Sequence, residues 1–277
     1  MEQEPQQLVN AEGASLTVEQ AIENLRQTVD TGLRYYAAWW LGRFRVAEPE
    51  AVEALVLALE DESDRAPDGG YPLRRNAARA LGKLGDRTVV PALIRCLDCA
   101  DYYVRESAAQ ALESLGDVRA VSPLRALLDG GVAAAVAVPD KPHLVQPYNA
   151  VLEALGTLGA TDAIAEITPF LAHEVPQVQN AAARALYQLT GEASYCDRLV
   201  QRLQEPNLQL RRSAMMDLGA IGYLPAAQPI AATLAENSLK LIALQGVLQS
   251  HLKQSGFPAA ALTDEARQVL ALMDELL

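Results

Sequence analysis

The side chains with the most chemistry to offer are clustered. Tyr35, Tyr36, Trp39, Trp40 and Phe44 fall within ten residues and make up five of the fourteen aromatics in the chain. Rings at that density suit stacking on a planar ligand or a partner, or closing a core that lacks a neighbouring helix. Arginines recur at Arg34, Arg74, Arg105 and Arg211. A guanidinium grips a carboxylate with two parallel hydrogen bonds, so such a row reads as a ladder for ligand anions. It reads equally as structural stacking against an acidic residue of the adjoining turn, such as Asp101. His143 sits in the irregular stretch Pro142-His143-Leu144-Val145-Gln146-Pro147-Tyr148. There an imidazole beside a tyrosine suits ligand binding or proton transfer, and suits a plain surface position as well. Cys96 and Cys99 form one C-x-x-C pair with no second pair and no βαβ context, which reads as ordinary buried thiols. No nucleophile elbow, phosphate loop or His/carboxylate metal constellation occurs, so no catalytic residue and no metal ligand is assigned.

These residues must be positioned by a repeat. Asn76-Ala-Ala-Arg-Ala-Leu-Gly-Lys-Leu-Gly-Asp86 and Ser107-Ala-Ala-Gln-Ala-Leu-Glu-Ser-Leu-Gly-Asp117 are close copies, with weaker ones ending near Gly159, Gly191 and Gly222. Anchored on Leu41, Leu81, Leu112, Leu155, Leu186 and Leu218, the intervals are 40, 31, 43, 31 and 32 residues. A period near 31 is that of a helical hairpin, with glycine capping one helix and Pro91, Pro123, Pro169 and Pro225 starting the next. The two long intervals hold the irregular stretches 60–72 and 130–147. Insertions of this kind gather on one face of a solenoid, often the binding face.

The pattern Leu-Gly-Asp-x-x-Ala/Val-Val-x-Pro-Leu resembles the turn and next helix of a HEAT repeat, across residues ~30–250. The expected fold is therefore all-α, an α-α superhelix of HEAT-like repeats. Its parts are an N-terminal segment and first helix over 1–29, repeats over 30–250 and a C-terminal capping helix over 251–277.

Repeat columns sort the candidates. The column of Arg75, Glu106, Asn149, Asn180 and Arg212 is polar and is expected to face solvent; its first member is Tyr35. The column of Arg79, Gln110, Glu153 and Arg184 is also polar, with Met216 departing from it, and its first member is Trp39. Tyr35 and Trp39 are four apart, so they share one helical face and form an exposed aromatic pair. Tyr36, Trp40 and Phe44 fall where a capping repeat would need bulk, and where a ligand platform would need rings.

Composition narrows the partners. A net charge of −12 argues against nucleic acid, whose phosphates must be neutralised by Lys and Arg, and against an anionic membrane surface. The longest uncharged apolar run, 132–139, is too short to span a bilayer. The opening Met1-Glu2-Gln3-Glu4-Pro5 lacks the basic and apolar regions of a signal peptide, and three cysteines make no disulfide framework. A reducing, cytoplasmic location is expected.

Three stretches go beyond a generic repeat: Tyr35-Tyr36-Ala37-Ala38-Trp39-Trp40-Leu41-Gly42-Arg43-Phe44-Arg45, Leu73 to Asp86, and Pro142 to Asn149. Together they resemble the E subunits of the E/F-type phycobilin lyases, over nearly the whole chain. The resemblance implies a heterodimer with an F-type subunit that attaches phycocyanobilin, as substrate and not as resident cofactor, to a cysteine of the phycocyanin α subunit. The acceptor thiolate would add to the ethylidene group of ring A and form a thioether. Sister lyases and a lyase-isomerase share the architecture. Such an enzyme needs no nucleophile of its own, only a site that fixes a flexible bilin beside the thiol and excludes water. Tyr35, Trp39 and Trp40 would supply stacking, Arg74 or Arg105 a grip on the propionates, and Asp101, His143 or Tyr148 a polar group near the pyrrole nitrogens. A non-catalytic HEAT scaffold and a bilin-carrying chaperone are the competing readings.

Overall fold

The computed structural model describes residues 16–255 and 262–277, and among them every regular element is helical. The opening residues, with the expectation about a signal peptide, lie outside the described part. Two compact units are present: one runs to Asp129 and includes Ala135–Ala154, the other takes Gly130–Ala134 and Leu155–Leu277.

In the first unit the helices are α1 (Val18–Arg26), α2 (Thr31–Arg43), α3 (Pro49–Ala58), α4 (Pro72–Leu84), α5 (Val90–Cys96), α6 (Tyr102–Leu115) and α7 (Val121–Ala126). There follow α8 (Gly131–Ala134), α9 (Tyr148–Thr157), which crosses the division, α10 (Ile164–Ile167) and α11 (Pro176–Thr190). The second unit continues with α12 (Ala193–Arg202), α13 (Leu208–Ile221), α14 (Ala227–Ala232), α15 (Asn237–Ser255) and α16 (Asp264–Leu276).

The helices that carry the repeated motif stack directly on one another: α2 on α4 and α4 on α6 in the first unit, α11 on α13 and α13 on α15 in the second. The Leu-Gly step of the motif explains how closely. A Cβ placed on Gly42 would come 2.7 Å from the Ala80 Cα, and one on Gly82 would come 2.7 Å from the Ala111 Cα. Glycine on one helix and alanine on the next let the backbones approach, while Leu41, Leu81 and Leu112 are fully buried beneath. The second glycine of the motif does different work. Gly85 and Gly116 end α4 and α6 with φ of 78° and 64°, the left-handed conformation that closes a helix.

The arginine row is part of this framework. Buried Arg34 donates to the Leu25 carbonyl at 3.2 Å and pairs with Asp61 at 2.6 Å. Arg74 donates to the carbonyls of Asp61 and Glu60, at 2.5 and 3.1 Å. Arg211 does the same for Glu205, Pro206 and Leu234. Carbonyls at a helix C-terminus lack intrahelical donors and sit at the negative end of the dipole, so a guanidinium there stabilises the turn twice over.

The insertion at 130–147 is not all coil. Val138 N–H donates to the His143 carbonyl and Val145 N–H to the Val136 carbonyl, each at about 3 Å. The resulting two-stranded ribbon turns at Asp140, whose φ is 60°.

Candidate functional site

Both insertions of the first unit converge on the N-terminal end of α6. They enclose a groove of about 620 Å³ between the 65–71 loop, residues 100–105 and the 138–145 ribbon. The geometry is set by Asp101. Its carboxylate caps α6 through the Tyr103 N–H at 2.8 Å, accepts the Tyr71 N–H at 2.7 Å and pairs with Arg75 at 2.8 Å. One side chain thus joins the start of α6, the end of the first insertion and the start of α4. Burial alone would raise the Asp101 pKa, but the donors from Tyr71, Arg75 and Tyr103 outweigh it and hold the carboxyl below its ordinary value.

The ribbon is fastened from the other side. Arg105 donates to the Val145 carbonyl at 2.8 Å and to the Gln146 side chain at 2.9 Å, while holding the Cys99 carbonyl at 2.6 Å. The His143 ring lies on the Tyr102 ring, with centroids 4.2 Å apart and 12° between planes, and Tyr103 meets both edge-on. His143 Nδ1 is 2.8 Å from the Leu144 carbonyl, which requires a proton on that nitrogen. Burial raises the Tyr102 pKa, so its hydroxyl keeps its proton. Arg75 stands 4.5 Å over the Tyr103 ring, and Arg65 and Arg74 stand 4.2 and 4.0 Å from the Tyr71 ring centre. One helical turn along from Tyr102, burial lifts the Glu106 carboxyl above its ordinary value against the charges of Arg79, Arg75 and His143.

The eight candidates therefore divide. Asp101, Arg105 and His143 meet at the groove. Arg74 lies behind it, its side chain 14% exposed and turned to Tyr71 and the helix-end carbonyls. Tyr35 and Trp39 form the expected exposed pair on α2, at 44% and 37% exposure. The stacking partner of Trp39 is Tyr36, at 5.6 Å, and Trp40 is buried against Phe44 at 4.8 Å. None of these rings lines the groove.

Three expectations change. Tyr148 is 1% exposed, a core residue and not a surface group at the end of the insertion. It takes the column position that holds arginine in other repeats, and a phenol ring there gains most by burial. The column of Arg75 and Glu106 does not simply face solvent: both are half-buried, and Asn180 is buried outright. Asp101 is four residues from Arg105 but is paired with Arg75, across to the neighbouring helix. The residues that column reasoning missed are Tyr71, Tyr102 and Tyr103. They stand at the starts of α4 and α6; Tyr71 and Tyr102 are 31 residues apart, one repeat period, and the run Asp101-Tyr102-Tyr103 was a second available signal.

Two of the three thiols, Cys96 and Cys196, are buried and inert, whereas Cys99 is half-buried and not the buried thiol expected of it. Burial pushes Cys96 and Cys196 up to about 12, and no group of His, Cys, Asp and Glu suited to a metal ion occurs among the described residues.

Known proteins match this chain closely. The profile of HEAT repeats fits residues 65–138 and 146–219, and that of the PBS lyase HEAT-like repeat fits 33–61. A phycocyanobilin lyase subunit alpha of Synechocystis sp. is 64% identical over 262 residues, 94% of this chain and 96% of that protein. A bilin biosynthesis protein PecE of Nostoc sp. is 43% identical, over 90% of this chain and 91% of that protein. Among solved structures, a chain in the complex of CpcE and CpcF of phycocyanin lyase from Nostoc sp. superposes with a TM-score of 0.88 at 58% identity, covering 100% of this chain and 99% of that one. The fold is accordingly the all-α HEAT-repeat solenoid.

Proposed function

The chain belongs to the family of phycocyanobilin lyase alpha subunits, and from that membership we propose that it is the alpha half of a two-subunit lyase acting on the phycocyanin α subunit. The observation that carries the reading is the match over the full length of both chains to a component of the CpcE–CpcF complex, at 58% identity. In the reaction the acceptor cysteine thiolate attacks the ethylidene carbon of ring A. A carbon–sulfur bond forms, the π electron pair moves to the adjacent ring carbon, and that carbon takes up a proton.

The chain's own residues suit the tasks left to the enzyme. No nucleophile is required from it, and its two buried thiols, with pKa values near 12, are poor competitors for the bilin. Its contribution is to hold and orient. We assign that role to the groove residues Asp101, Arg105 and His143, with Asp101 and Arg105 fixing the walls, and to the exposed Tyr35–Trp39 face as a contact for bilin or for the second subunit. Arg74 supports the first wall from behind, while Trp40 and Tyr148 act through packing. No helix among the described residues is long and apolar enough to cross a membrane, and a cytoplasmic place of action follows from the need for a reduced acceptor thiol. Co-producing the chain with an F-type subunit, a phycocyanin α subunit and a source of phycocyanobilin tests the reading. Fluorescence that stays with the acceptor on a denaturing gel supports it; an acceptor left colourless by the complete set removes it.

A further inference from the structure

The groove carries a small excess of positive charge on a chain that is acidic overall. The chain carries a net −12, yet Arg65, Arg75, Arg105 and Lys141 all line this one depression. Asp101 neutralises Arg75. Arg105 spends its hydrogen bonds on neutral carbonyls and an amide, and the nearby Asp101 carboxylate meets its charge only through space. Arg65 and Lys141 are exposed, and among the described residues neither forms an ion pair with a carboxylate. Of the other two acids there, Asp68 is turned to the Gly70 N–H within its own loop, and Asp140 sits at the outer turn of the ribbon. The two exposed cations come from different insertions, Arg65 from the first and Lys141 from the second, and tyrosine and imidazole rings line the same groove. Four cations against the carboxylates of Asp68, Asp101 and Asp140 leave the lining one positive charge in excess, and a local excess of one sign concentrates ligands of the other.

We propose that this groove is the subsite for the carboxylates of a planar conjugated ligand, with Arg65 and Lys141 as the cations that meet them. Resting on the lyase reading above, that ligand is phycocyanobilin and the carboxylates are its two propionates. The two chemistries required are both present. Rings of Tyr71, Tyr102, Tyr103 and His143 offer faces and edges to a conjugated system, and the flanking cations offer charge-assisted hydrogen bonds. A volume of about 620 Å³ lies within the roughly 300–1,000 Å³ of sites that bury a small molecule. The fixed parts of the groove, Asp101 and Arg105, would then preorganise it, and the two exposed cations would close on the ligand.

The experiment is an absorbance titration of the chain in complex with its second subunit, using phycocyanobilin and its dimethyl ester, which lacks the two charges. Wild type should bind the free acid tighter than the ester, by roughly five- to thirtyfold, the range of one or two charge-assisted contacts of about 1 kcal/mol each. The Arg65→Ala/Lys141→Ala variant, altered only at exposed side chains, should lose that preference while its affinity for the ester stays put. Equal affinity of wild type for acid and ester, or an unchanged preference in the variant, overturns the proposal. A variant that keeps both bilin affinities but no longer binds the acceptor subunit also overturns it and marks the groove as an acceptor dock. None of these outcomes touches the lyase reading, which fails only if the complete wild-type set leaves the acceptor without bilin.

Discussion

His143 lies flat on Tyr102, ring centroids 4.2 Å apart, and so binds the ribbon of the second insertion to the helix that Asp101 caps. The stack and the Arg105 bonds to Val145 and Gln146 are the two fastenings that keep one wall of the groove in place. Removing either should loosen the wall without unfolding the repeats behind it.

For His143→Ala, the loss should be about 0.5–1.5 kcal/mol, the worth of one aromatic stack. Amide exchange should quicken in 136–145 and stay slow in α4 and α6, and bilin transfer should fall. Shortening the ribbon is a stronger form of the same test, since closing a shorter loop costs little. A shortened chain that melts normally and transfers bilin at the wild-type rate would reduce the ribbon to a tolerated surface loop.

Asp101 should behave as a structural acid. Its folded pKa lies below the ordinary 3.8, so its ionised form is the one the fold favours. The stabilisation it gives is fully present above that ordinary value and disappears as pH falls below 3.8 through the lowered folded value. Asp101→Ala should cost roughly 2–3 kcal/mol at pH 7, because the side chain is 4% exposed and its removal strands Arg75 and two backbone N–H groups. Denaturant melts at pH 7 and at pH 3 should show the gap between variant and wild type closing on the acid side. A gap of constant size would assign the loss to packing alone.

The two neighbouring tryptophans should separate cleanly. Trp40 is 8% exposed, and Trp40→Ala should cost roughly 3–5 kcal/mol, as truncations of buried tryptophan do. Trp39 is 37% exposed, and Trp39→Ala should cost no more than about 1.5 kcal/mol, the share of its stack on Tyr36. Its effect should show in the affinity for bilin or for the second subunit, read by titration against each. A stability loss equal to that of Trp40→Ala would make Trp39 a core residue.

The difference between these side chains was partly legible beforehand. A period near 31 and the repeated Leu-Gly step name the stacked helices, because the same close approach of glycine and alanine recurs at Gly42 and Gly82. The Tyr35–Trp39 face was legible for a related reason: polar residues fill the same columns in other repeats. Column reasoning failed where a residue answers to something outside its own helix. Arg75 looks like a solvated surface charge until the Asp101 carboxylate arrives from the next repeat. Tyr71 follows the first insertion, and Tyr102 repeats it 31 residues on, but no other repeat places a tyrosine there, so the column carried little signal. Tyr148 shows the converse, a position that is arginine in four other repeats and whose ring belongs in the core.

The central claim is that this chain is half of a lyase, supplying a site that holds the bilin but no nucleophile and not the whole enzyme. Subunit omission tests it most directly: purified phycocyanin α subunit and phycocyanobilin are mixed with this chain, with an F-type subunit, or with both, and bilin fluorescence is read on the acceptor after denaturing electrophoresis. Efficient covalent attachment only with both subunits present is the predicted result. Full attachment by this chain alone, or by the second subunit alone at the rate of the pair, would contradict the account.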